Sequence, residues 1–253
     1  MDLTEFSECM EVELERPLPR KISPCPISEA IIEIRYETDS PGEAVFGMVY
    51  SAFRQDFPES KKQPVLSIPE QIRKIDPNLM YLPEHHLVNG NFMLLVGPRS
   101  FALAVTGEYC GWTELSRKAD EVFDRLHRLE FIRGVTRVGL RYINVFSFDI
   151  LTRSTLRLIR GDTPLASRSS QIVAQIPSGN FENTLRVANG AVVKMGASIV
   201  GDSIVDIDVS LTKDLGGFFG HRKSILDAAH EEEKKLFFSL LTEEYLATLN
   251  PEY

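Results

Sequence analysis

Arginines and carboxylates stand at spacings that could hold a phosphorylated ligand. In the stretch PISEAIIEIRYE, Pro26 to Glu37, the residues Glu29, Glu33, Arg35 and Glu37 alternate with Ala30, Ile32, Ile34 and Tyr36. Arg137 and Arg141 share one side of TRVGLRYINVFSFDI, and Asp206 and Asp208 share one side of SIVDIDVSLT. Period-2 alternation marks all three as strands, so each set of charges projects from one face. Guanidinium groups clamp phosphate oxygens bidentately. Carboxylates such as Glu33, Asp206 and Asp208 offer the oxygen ligands that Mg²⁺ takes. The same charges can instead pair across strands, at about 0.2–1 kcal/mol each, and leave a salt-bridged outer face. Charge pattern alone leaves both readings open.

Other chemistries find less support. EIRYE departs from the Glu-x-Glu-x-Lys strand of triphosphate-tunnel enzymes, because the cation and second acid are exchanged. Asp206-Ile207-Asp208 resembles a metal-binding Asp pair, but such pairs sit on loops and this one is mid-strand. Glu84-His85-His86 has metal-ligand types without a defined third and fourth partner. HEEEKK at His230 to Lys235 is a helix surface with i,i+4 charge pairs, not His-Glu-x-x-His. GGFFGH, Gly216 to His221, lacks the lysine of a phosphate loop and reads as a flexible connection. Cys110 has no histidine placed beside it, and no Gly-x-Ser-x-Gly elbow occurs. No catalytic residue, metal site or cofactor is assigned. Trp112, Phe218-Phe219 and the terminal TEEYLATLNPEY offer aromatic or apolar anchors for a partner, or plugs for the protein's own core.

The elements that must position these residues follow from periodicity. SPGEAVFGMVYSAFRQDFP predicts a helix with Ser40 as cap, Pro41 at its first position and Glu43 completing a capping box. Residues 59–90 are punctuated by prolines, with a short strand expected at Val65–Ile68. Asn91–Val96 and Phe101–Tyr109 flank GPRS as a hairpin. A second amphipathic helix follows Cys110, then the long strand to Asp149. Strands are expected at Gln171–Ile176, Asn183–Ala188, Ala191–Met195 and through Asp208. A last helix from about Arg222 to Leu241 breaks near Thr242. Hairpins outnumber βαβ alternations, which predicts an α+β fold: a curved, mainly antiparallel sheet with long helices packed on one face. Residues 1–25 read as an N-terminal arm, and 26–253 as a single domain.

The chain of 253 residues has a net charge of −8, which opposes non-specific nucleic-acid binding. That charge is uneven: residues 133–194 carry 9 basic against 3 acidic residues, a net of +6 between acidic flanks. No apolar run approaches the roughly 20 residues that span a bilayer. Cys9, Cys25 and Cys110 are odd in number and widely spaced, which fits free thiols in the cytoplasm better than a disulfide framework.

Pro26-Ile27-Ser28-Glu29-Ala30, Gly139-Leu140-Arg141-Tyr142-Ile143-Asn144, Asp206-Ile207-Asp208 and Leu241-Thr242-Glu243-Glu244 occur in that order. In this the chain resembles a sporadically distributed family of uncharacterised bacterial and archaeal proteins. The resemblance covers about residues 26–246 and brings no established activity. It implies the context of mobile genes, including toxin–antitoxin and phage-defence modules. Two functions stand as expectations. One is a non-catalytic interaction protein with a protein partner or a second copy of itself. The other binds or hydrolyses a phosphorylated small molecule. The face to test comprises Glu29, Glu33, Arg35, Arg137, Arg141, Asn144, Asp206 and Asp208.

Overall fold

The computed structural model describes residues 17–164, 169–195 and 198–253, and their side chains save those of 164, 191–195 and 198–201. In chain order the elements are β1 (Ile27–Glu37), α1 (Gly42–Phe53), β2 (Glu59–Lys62), α2 (Glu70–Ile75), β3 (His85–Asn89), β4 (Phe92–Val96), β5 (Ser100–Thr106), α3 (Trp112–His127), β6 (Gly134–Phe146), β7 (Ile159–Arg160), β8 (Thr163–Pro164), β9 (Ser170–Ser178), β10 (Phe181–Met195), β11 (Ser198–Leu211), α4 (Phe218–Leu240) and α5 (Glu243–Thr248). Strand order is β2-β3-β4-β5-β1-β6-β11-β10-β9, with β7 paired to β8. A large antiparallel sheet with helices bears out the α+β expectation. Two finer expectations fail. The sheet is not strongly curved. Nor are the helices generally long: α2 and α5 have 6 residues each, α1 has 12 and α3 has 16, and only α4 reaches 23.

The chain divides into two compact units. One comprises Glu29–Arg141 with Ser210–Ala228. The other comprises the residues up to Ser28 with Tyr142–Val209 and Ala229–Tyr253. The strands β6 and β11 and the helix α4 have residues in both.

In the first unit, Ala30, Ile32, Ile34 and Tyr36 of β1 are buried. Ile32 and Ile34 lie opposite Leu103 and Phe101 of β5. Phe101 touches Phe53 of α1 and Phe123 of α3, each with ring centroids 6.0 Å apart. Leu115, Ala119, Val122, Phe123 and Leu126 give α3 its buried face. Each large side chain so buried contributes roughly 1.5–3 kcal/mol. The start of α4 replaces the expected flexible loop. Phe218 is buried edge-on to Phe123, and Phe219 stacks on His127. Trp112 donates from Nε1 to Asp227 at 3.0 Å. These aromatics therefore serve the protein's own packing.

Two local expectations also change. Pro41, not Ser40, holds the N-cap position of α1, and no side chain caps it; the Ser40 N–H is spent on Thr38 Oγ1 at 3.1 Å. The strand expected at Val65–Ile68 is a 3-10 turn begun by Pro64, while the fully exposed Glu59–Lys62 pairs as β2.

In the second unit, Tyr142, Phe146, Leu185, Val187, Val205, Ile207 and Val209 are buried. Tyr245 meets Phe146 and Phe148 edge-on at 6.3 and 5.3 Å, and Arg153 lies 4.2 Å from the Phe148 ring centre. Thr242 caps α5 by accepting from Tyr245 N at 3.3 Å, so the terminal segment packs on its own unit. Of the expected N-terminal arm, residues 1–16 lie outside the described residues. Arg20 N donates to Glu252 O at 2.6 Å and Ser23 N to Leu249 O at 2.7 Å.

Glu233 is buried on α4, and desolvation pushes its carboxyl up to about 8, opposed by Lys234. It is therefore protonated at neutral pH when folded, whereas in the unfolded chain it ionises in the ordinary carboxylate range. The folded state binds the extra proton, so this stabilisation is complete below the ordinary range and is lost as pH rises towards about 8. Urea unfolding across that window should show stability falling by up to about 1.4 kcal/mol per pH unit from this group. Glu233→Gln, which mimics the neutral acid, should remove that slope; an unchanged slope would contradict the assignment.

Candidate functional site

The charged side of β1 is internally paired. Glu33 Oε1 accepts from Arg35 Nε and from Arg137 Nη1, both at 2.9 Å. Arg35 also lies over the Tyr81 ring, 4.5 Å from its centre. The missing side chain at Gly139 leaves room for the Arg137 guanidinium, which lies where a Cβ would project. Glu29 and Arg141 are also engaged in interactions. Of the residues expected to form one face, the structure thus joins Glu33, Arg35 and Arg137. A phosphate clamp by these two arginines would have to displace Glu33.

Asn144, Asp206 and Asp208 belong to the second unit. Asp206 is 6% exposed, and Arg186 Nη1 lies 3.7 Å from its Oδ2. Asn144 sits on the buried side of its strand, donating from Nδ2 to Val205 O at 3.3 Å, while its Oδ1 has no partner among the described residues. Asn183 is in the same condition: Nδ2 donates to Glu232 Oε1 at 2.8 Å and the buried Oδ1 is unpaired among the described residues. Among the described residues, no group of three or more His, Cys, Asp or Glu is placed to hold a metal ion.

A cleft of about 670 Å³ lies elsewhere in the first unit, among residues the strand charges did not point to. Its walls come from the β1–α1 turn, the first turn of α1, Lys62, α2, the start of β3 and the β4–β5 turn. Lys62 and His85 oppose each other in the β2–β3 register. The His85 ring stacks on Phe46, with centroids 3.7 Å apart and planes within 14°. Beside it, Glu84 Oε1 and Arg73 Nη2 are 2.9 Å apart, their side chains 14% and 12% exposed. Arg73 Nη1 also donates to Ile68 O at 2.8 Å. Burial raises the Glu84 carboxyl above its ordinary value, against the pull of Arg73. Burial, and then Lys62, lowers His85, so the imidazole is neutral at pH 7.

The β4–β5 turn closes another side. Tyr36 Oη donates to Gly97 O at 3.1 Å, and Pro98 packs on Gly42, where a Cβ would come within 3.2 Å of the proline ring. The missing side chain at Gly42 thus lets the turn bring Arg99 to the start of α1. First-turn amides of a helix have no intrahelical acceptor and carry partial positive charge. What this arrangement can do is hold an anion. The sequence contained one signal for it, Glu84-His85-His86, which periodicity could not connect to Arg73 or Phe46.

No family model and no curated protein matches the chain.

Arg73→Ala would leave Glu84 buried beside no cation. It should cost roughly 2–4 kcal/mol in chemical unfolding, and adding Glu84→Gln should recover part of that loss. A cost below about 0.5 kcal/mol would place the pair with surface bridges of little worth.

Proposed function

We propose that the protein is a non-catalytic interaction protein that pairs through the outer edge of β9. One observation carries the reading: β9 is a nine-residue edge strand, SQIVAQIPS, without a charged side chain. Edge strands are ordinarily blunted by short length, charge, proline or bulges, because their free amides and carbonyls pair with other chains. The opposite edge has that protection, since β2 is four exposed residues, Glu-Ser-Lys-Lys. On β9 the single safeguard is Pro177, one residue from the end.

The partner this edge fits best is a second copy. Ile172 and Ala174 lie opposite the buried Val187 and Leu185 of β10 and continue that apolar layer to the edge, while Ile176 lies opposite Asn183. About a two-fold axis at Ala174, an antiparallel pair would set Ile172 against Ile176 of the other copy and close the layer. Val173, 68% exposed on the other side, would gain cover. The antitoxin-like or phage-defence accessory role implied by the family resemblance belongs to the same reading, as does a cytoplasmic setting. The free thiols Cys25 and Cys110 agree with that setting. No helix among the described residues is long and apolar enough to cross a membrane.

Sedimentation equilibrium tests it. The wild type should self-associate and Val173→Lys should be monomeric with an unchanged unfolding midpoint, because an edge lysine repels a second strand. A wild type that stays monomeric, or association indifferent to the lysine, would contradict the reading.

A further inference from the structure

We propose that the cleft at the start of α1 binds a small phosphate monoester, its phosphate held by the first-turn amides of α1 together with Lys62 and Arg99. This site is separate from the β9 edge and does not depend on it. Several independent features converge there. The first residues of α1, Pro41, Gly42 and Glu43, line the cleft, and no side chain caps that helix. Its amide donors are thus left for a ligand, in the manner of helix-terminal phosphate sites.

The cations in the cleft divide into used and unused. Arg73 is held by Glu84 at 2.9 Å and Lys74 by Glu70 at 2.6 Å. Lys62 and Arg99 are exposed and, among the described residues, have no carboxylate within ion-pair distance. They stand on two sides of the α1 terminus: Lys62 across from His85, whose ring stacks on Phe46 one turn into the helix, and Arg99 beside Pro98, which packs on Gly42. Two positive arms and a helix terminus around one opening make a receptor for a compact anion.

The rest of the lining limits what the anion can carry. Glu43 and Glu70 are also in the wall, so Lys62, Arg73, Lys74 and Arg99 against Glu43, Glu70 and Glu84 leave a net of one positive charge. That balance disfavours a polyphosphate. It favours a monoester whose hydroxyl or amino groups donate to the acids. The volume of about 670 Å³ lies within the span of small-molecule sites and exceeds what bare phosphate fills. Phe46, Leu66, Leu79 and Met80 supply the apolar surface against which a sugar or base would lie.

Isothermal titration at constant ionic strength with ribose 5-phosphate, adenosine monophosphate and inorganic phosphate tests the assignment. At least one ester should bind with a dissociation constant below about 1 mM, and more tightly than phosphate. Arg99→Ala and Lys62→Ala should each weaken that ester by about tenfold, as for loss of a charge-assisted contact. Arg186→Ala, which removes a cation of the other unit, should not. Both cleft positions are exposed, so folding should survive, and the unfolding midpoint checks that it has. Absence of binding by all three probes, equal affinity for phosphate and the esters, or ester binding unmoved by Arg99→Ala would each overturn the proposal.

Discussion

The alternation of β1 is the constraint to which the rest of the first unit answers. Its even-numbered residues from Ala30 to Tyr36 are buried in register with β5, under α1 and α3. A slip of one residue would turn Glu29, Glu33 and Arg35 into that core, at a cost no partner there could offset. With the register set, Glu33 must project from the other face, half-buried, and a half-buried carboxylate needs donors. Arg35 and Arg137 supply them, and Gly139 leaves the space for Arg137 to reach. The cluster is a consequence of strand register before it is anything else.

The same strand also builds the cleft. Tyr36, the last buried residue of β1, ties its hydroxyl to Gly97 and its N–H to Arg99 O at 3.1 Å. That anchors the β4–β5 turn against Gly42 at the start of α1. Charge is thus handled in two ways in one unit. On the sheet the arginines are spent on Glu33. At the helix terminus Lys62 and Arg99 are left over, beside pairs that neutralise each other. The proposed anion site draws on that unspent charge beside an uncapped helix end.

The sequence shows the parts governed by short periods and hides those made by long-range contacts. The strand β1, the amphipathic α3, the β4–β5 hairpin and the break at Thr242 can be read because residue spacing and capping types report local geometry. The strand β2 cannot be read, since Glu-Ser-Lys-Lys has no apolar alternation and pairs only because β3 is beside it. Phe218 and Phe219 look like loop aromatics until Phe123 and His127, about 90 residues earlier, are seen to receive them. For the site, alternation set Glu33, Arg35 and Arg137 apart from the apolar positions of their strands, yet whether those charges were paired depended on distances that spacing does not report. The cleft was out of reach for the same reason. Its walls come from several separate stretches, and of these only Glu84-His85 carried residue types that attract notice.

A double-mutant cycle on Glu33 and Arg137 measures most directly whether the strand charges are scaffold or site. Glu33→Gln, Arg137→Met and the double variant would be unfolded chemically alongside the wild type. Side chains 26% and 15% exposed, in contact at 2.9 Å, should show a favourable coupling of roughly 1 kcal/mol. Coupling within error of zero, with all variants folded, would mean that Glu33 does not hold Arg137 and would contradict the scaffold role.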